Sequence, residues 1–313
     1  MQKINHDLKP NEVLIKAPEK CCLISMPELC IKFFGEVKVI FKTKKNVVFD
    51  MSKTMLIDET FVAMLLSHIK EKKITNGISS RILLPEDEAL GKKLKKMGIF
   101  KKFENSEDQF VLDDSEPVTK VHSLTVANNV AKYFVDITTM YVYGEKKKVK
   151  ELYSILIELM ANTNNHASQS DKPVYSWWLF AYPYEDEKKV KFIFLDLGVG
   201  IFESLPVRQF VKSNPLTVLN NRPEVINYAR GQELTKIYSA LASGKIKSST
   251  GLEERGKGIP VINDYSKSSN FGEFVSISND AYIDLKNESV SAMSASLSGT
   301  FFFFSLKESS ENE

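Results

Sequence analysis

The stretch from residue 151 to 200 constrains this chain more than any other. It opens with ELYSILIELMANTNNHA, where Leu152, Ile155, Leu156 and Leu159 recur at the spacing of one helical face. Glu158, Asn162, Asn165 and His166 stand one turn apart on a neighbouring face. At about 3.6 residues per turn this polar row borders the apolar stripe, so it is expected to be half buried. Carboxylate and amide groups in such a position need partners, because an unpaired one costs on the order of 1–3 kcal/mol. A metal ion with phosphates would supply them. The stretch closes with KFIFLDLGVGIF. Phe192 and Phe194 face one side of a strand and Ile193 and Leu195 the other, which predicts a central strand covered on both faces. Asp196 ends that strand, and a buried carboxylate there needs a donor such as an adenine amino group. Gly198 and Gly200 let the turn that follows come close to a ligand.

The remaining composition sets loose bounds. A chain of 313 residues makes one large domain or two ordinary ones, and 43% hydrophobic residues suffice for real cores. A net charge of +2 gives no global signal for nucleic acid or membrane. Cys21, Cys22 and Cys30 form no CxxC pair, and so sparse a set fits a reducing compartment. The polar start MQKINHDLKP does not read as a signal peptide, and no apolar run approaches the ~20 residues that span a bilayer. The expectation is a cytoplasmic protein. No internal repeat is visible.

Along the chain, residues 1–110 read as an α/β domain. VLIKA and CCLISM are strand-like, with a helix around Pro27 to Phe34. EVKVIFK alternates as a strand would, and NVVFDM is an apolar run ending near Asp50. Asp58 is placed to cap a helix burying Phe61, Met64, Leu65 and Ile69. RILLP reads as a short buried strand. EDEALGKKLKKMGIF is an amphipathic helix, acidic first and lysine-rich later, stopped by Gly98. Strands alternating with helices argue the α/β class. An acidic segment ending in Pro117 marks a linker over 111–120.

Residues 121–307 read as a second domain, with a frayed tail over 308–313. HSLTVANNVAKYFVDITTMYVYG is expected to be a helix ended by Gly144, carrying His122. Lys146 to Lys150 read as a solvated basic cluster. VYSWWLFAYPYE and KVKFIFLD pair as antiparallel strands, with Trp177 and Trp178 on opposite faces as core residues. From Ile201 to Glu254 runs a long connection with two helices, near Pro223 to Arg230 and Glu233 to Leu241. RGKGI opens the helix VINDYSKSSN, and N–H groups at a helix start bind anions. GEFVSISND, AYIDLK and GTFFFFSL are expected to be three strands completing the sheet.

Four segments in this order resemble the motifs of the GHKL ATPases (gyrase, Hsp90, histidine kinases, MutL and the anti-sigma-factor kinases). Glu158 to His166 resembles their N-box, Asp196-Leu-Gly198-Val-Gly200 the first glycine box, and Arg255-Gly256-Lys257-Gly258-Ile259 the second. Gly299-Thr300 and the strand after it resemble the closing strand. The resemblance implies a Bergerat-type α/β sandwich, with a mixed, mainly antiparallel sheet covered by helices on one face. It also implies binding of Mg-ATP. Asn162 would hold Mg²⁺, and Glu158 would be the general base. Asp196 would read the adenine amino group, with Thr300 joined to it through water. Gly198, Gly200 and Ile201 would line the pocket beside Asn165, which stands where many histidine kinases have a phosphate-contacting lysine. Arg255, Gly256, Lys257 and Gly258 would close over the phosphates. His166 more simply packs within the site than does chemistry.

The first domain resembles a STAS domain through Val47 to Ser52, Leu56 to Phe61 and Lys95 to Phe100. Its Asp58-Glu59-Thr60-Phe61 stands where the family carries Asp-Ser-Ser-Gly. Thr60 matches the phosphorylated serine, but the fixed charge of Glu59 would repel a second anion beside it. The resemblances together imply an ATPase acting as a nucleotide-dependent regulatory switch toward a protein partner. A serine/threonine kinase acting on a STAS domain is the alternative, and a non-catalytic nucleotide sensor the third. A homodimer is compatible with all three.

Overall fold

The computed structural model describes residues 8–98, 119–123, 126–167, 177–205, 223–245 and 258–308. The chain is mixed α/β and divides into two compact units, Met1–Lys101 and Lys102–Glu313.

In the first unit, β1 (Glu12–Lys16), β3 (Asn46–Asp50) and β5 (Ser80–Leu83) form a parallel sheet in the order β1-β3-β5. β2 (Lys20–Cys21) and β4 (Leu56–Ile57) pair separately, also in parallel. Val47, Val48 and Phe49 of β3 are wholly buried, as a strand flanked on both sides requires. β5 is half buried because it lies at the sheet edge, where RILLP had suggested a buried strand. Arg81 on β5 grips Glu12 on β1 with two hydrogen bonds of 3.1 and 2.9 Å, joining the outer strands across β3.

The helices of this unit follow from capping and burial. Helix α1 (Pro27–Phe41) absorbs EVKVIFK, which the alternation had assigned to a strand. Val37 and Phe41 continue the apolar face of Cys30, Phe33 and Phe34 at helical spacing, while Val39 is left 62% exposed. Helix α2 (Glu59–Asn76) starts where Asp58 accepts the N–H groups of Thr60 and Phe61, and it ends at Gly77 in the left-handed region. Its first ten residues are buried all round, Phe61 sitting among Phe33 and Phe34. Ile69, expected in that core, is only half buried. Helix α3 (Glu88–Lys96) is capped by Asp87, and Gly98 takes the left-handed conformation just beyond it.

The second unit is built on one five-stranded sheet, β6 (Thr119–Ser123), β7 (Trp177–Tyr184), β8 (Lys189–Asp196), β9 (Phe271–Asp284) and β10 (Ser289–Lys307), in the order β6-β7-β8-β10-β9. Each pairing is antiparallel, so among the described residues this sheet is not mixed. One face meets α4 (Asn128–Tyr143) and α5 (Lys150–Ala167) through Phe134, Leu152, Leu156 and Leu159. Phe192, Phe304 and Phe274 stack across three neighbouring strands at 5.0 and 4.8 Å between centroids. The other face, with Trp178, Phe180, Ile193, Leu195 and Phe301, is also buried.

In this second unit three elements differ from the sequence reading. His122 belongs to strand β6, opposite Trp178, and not to a helix. The two helices expected after residue 222 are one, α6 (Pro223–Ala242), which runs through Gly231 and buries Leu234, Tyr238 and Leu241. The segments GEFVSISND and AYIDLK are a single strand, β9. Asn279 at φ 54° bends it without ending it, opposite an irregular stretch of β10. Helix α7 (Gly258–Ser266) packs on α5.

Candidate functional site

Two clusters of polar residues lie at the ends of these elements. The first joins α5 to the start of α7. Glu158 and Asn162, four residues apart on α5, are both half buried, and the buried Gly258 begins α7 directly against them. A Cβ at position 258 would fall 2.7 Å from Asn162 Oδ1 and 3.0 Å from Glu158 Oε2. Glycine at this position lets the first turn of α7, with its N–H groups, approach the two side-chain tips closely without displacing them. Burial pushes the Glu158 carboxyl above its ordinary value, the direction that suits a proton acceptor working near neutral pH.

The second cluster lies where β8 ends. Asp196 pairs in register with Trp177 of β7 on one side and Thr300 of β10 on the other. Its Oδ1 accepts the Gly198 N–H at 2.9 Å. Burial drives its pKa up to about 6, opposed by hydrogen bonds from the Gly198 N–H and from the hydroxyl and N–H of Thr300. Thr300 stands beside it across the β8–β10 pairing. A carboxylate offers about four lone-pair positions. The Gly198 N–H fills one of them, which leaves room for an amino N–H.

The turn after Asp196 is fixed from the neighbouring strands. Gly200 has φ 84°. Gly299, at φ 105°, presses so near β8 that a Cβ would lie 2.1 Å from the Asp196 carbonyl oxygen. The N–H of Ile201 donates to Ser278 Oγ at 2.7 Å, and those of Phe202 and Glu203 donate to Asn279 Oδ1, each at 3.0 Å. Asn279 Nδ2 returns a bond of 2.8 Å to the Val199 carbonyl. Sequence reasoning missed Ser278 and Asn279. The signal was present in SISND, where polar residues interrupt an apolar strand. It missed also Asp280, whose carboxylate holds Arg230 of α6 at 2.8 and 3.2 Å.

The remaining expected site residues divide as follows. Ile201 lies in the fixed turn, half buried. Asn165 is in α5, but its side chain, like that of His166, lies outside the described residues, as do Arg255, Gly256 and Lys257. In the first unit the Thr60 hydroxyl is buried, donating to Asp58 Oδ1 at 2.5 Å and accepting the Leu23 N–H at 3.1 Å. Among the described residues no three His, Cys, Asp or Glu side chains gather as a metal site, and no helix is long and apolar enough to cross a membrane. No protein-family model matches this chain, and no curated protein matches it.

Proposed function

We propose that the second unit is a Bergerat-type domain that binds Mg-ATP and hydrolyses it slowly, and that the first is a STAS-like domain through which a protein partner reads the nucleotide state. The observation that carries this reading is the meeting of Glu158, Asn162 and Gly258. A base, an amide and an N–H-bearing helix start converge from two helices far apart in sequence. That is the equipment for a triphosphate: the helix start suits anionic oxygens, and one amide suffices for Mg²⁺, which keeps most of its shell as water and phosphate. The bound metal would neutralise charge on the phosphates. Asp196, with accepting positions left beside the Gly198 N–H, suits the adenine amino group.

In this reading Glu158 takes a proton from the water that attacks the γ-phosphate. A new bond forms between that water oxygen and phosphorus, the bond to the ADP oxygen breaks, and the proton leaves Glu158 to solvent with product. Asn162 and the start of α7 hold the phosphate end still, and Asp196 holds the base end. The buried Thr60 hydroxyl favours water over this chain's own first unit as the phosphoryl acceptor. Calorimetry with Mg-ATP on the parent and on Asp196→Asn is the test. The reading expects saturable binding that falls at least tenfold in the variant, and it fails if the two proteins bind equally or not at all.

A further inference from the structure

Resting on the nucleotide reading, we propose that Ser278 and Asn279 are positioning residues that set base specificity without touching the ligand. Together they take three successive backbone N–H groups, those of Ile201, Phe202 and Glu203, at 2.7, 3.0 and 3.0 Å. Both side chains are buried, Asn279 being 2% exposed. Phe202 is buried and Ile201 half buried, so their N–H groups need an acceptor, and one dipeptide of β9 supplies it for both and for Glu203.

The arrangement is costly to build, which argues for a purpose. Asn279 adopts φ 54° inside a strand, a conformation that persists only where the surroundings fix it. Its amide also occupies the space beside Gly200, where a Cβ would lie 2.6 Å from both Nδ2 and Oδ1. The glycine at 200 is therefore demanded by Asn279 as well as by the turn. Ser278 reaches the base-reading carboxylate by a second path. Its Oγ donates to the Gly299 carbonyl at 3.1 Å and lies 3.4 Å from Oγ1 of Thr300, the residue in register with Asp196. Loosening either residue frees the turn holding Gly198 and lets Asp196 shift relative to the base.

The experiment measures dissociation constants for Mg-ATP and Mg-GTP on the full chain by calorimetry, for the parent, Asn279→Gly and Ser278→Ala. Glycine keeps the φ 54° conformation while removing the side-chain bonds, and alanine fits the strand at 278. We expect ATP affinity to fall at least tenfold in Asn279→Gly and about threefold in Ser278→Ala. GTP affinity should change less than twofold in both, so that the preference for ATP narrows. A purely structural staple would weaken both nucleotides by the same factor, and that result, or no change, overturns the proposal. If Asn279→Gly fails to fold by circular dichroism, Ser278→Ala decides. A parent that binds neither nucleotide sinks the site reading and this inference together. A parent that prefers ATP, with variants that keep its preference, sinks only the inference.

Discussion

Asp196 carries its charge against the pull of its surroundings. Its ordinary pKa is 3.8 and burial raises it to about 6, so between those values the folded protein holds a proton that the unfolded chain has released. Stability from this group is greatest below about pH 4 and declines as pH rises toward 6. On the proposed nucleotide reading, ligand binding runs the other way, because an adenine amino group would need the ionised carboxylate. ATP affinity should therefore drop as pH falls through about 6. Asp196→Asn, which titrates no group there, should lose that component while keeping any part that comes from the phosphates. Affinity titrations of both proteins from pH 5 to 8 check this, and parallel curves would refute it. At Glu158 the expectation separates binding from chemistry: Glu158→Ala should bind ATP like the parent and lose turnover at least a hundredfold, since a base acts in the transition state. Turnover at the parental rate would remove Glu158 from that role. The placement of both residues, Glu158 on a helix and Asp196 at a strand end, was legible in the sequence, because helical spacing and a strand-ending carboxylate announce themselves one position at a time. Ser278 and Asn279 were not, because their role depends on which turn lies across the sheet from them, and one strand's periodicity carries no such information.

Elements were harder to read than residues wherever tertiary packing overrode a local cue. The alternation in EVKVIFK suggested a strand, yet burying Val37 and Phe41 beside the phenylalanines of α1 outweighs it. The two helices read on either side of Gly231 are one, and the Arg230–Glu233 ion pair spans the junction. The strand division at Asn279 was invisible as a bend, since a left-handed asparagine leaves no mark on hydropathy. By contrast, the helix limits at Asp58, Gly98 and Gly144 were given correctly by capping chemistry alone. The close approach of β10 to its neighbour β8 at Gly299 makes a sharp prediction. Gly299→Ala would force a Cβ against a backbone carbonyl at a φ of 105°, where neither atom can rotate away. Urea unfolding should show a loss of about 2–4 kcal/mol, and a loss under 1 kcal/mol would contradict the geometry. Asp280→Ala should cost about 2–3 kcal/mol by the same measurement, because it leaves the largely buried Arg230 with only Glu233.

At the scale of the whole molecule, the proposed function assigns different roles to the two units. All the residues proposed to meet nucleotide lie in the second, and the first keeps its one candidate phosphoryl acceptor, Thr60, inside a cap. Incubation with γ-labelled ATP should release label as free phosphate and leave none on Thr60. Thr60→Ala should lower the stability of the first unit by about 1 kcal/mol, as loss of a capping partner does, without altering phosphate release. Label recovered on Thr60 would reverse the assignment. The order of strands has a further consequence, for synthesis. Phe301 to Phe304 form an uncharged run of the kind that aggregates when its edges are free. In the finished sheet β10 is enclosed by β8 and β9. Yet β8 leaves the ribosome more than ninety residues before β10 does, and until then its Phe192–Leu195 edge has no partner on that side. A chain stopped at residue 298 would expose that edge permanently. It should collect in the insoluble fraction even though its N-terminal unit is whole, and the nascent chain has reason to need a chaperone during that interval.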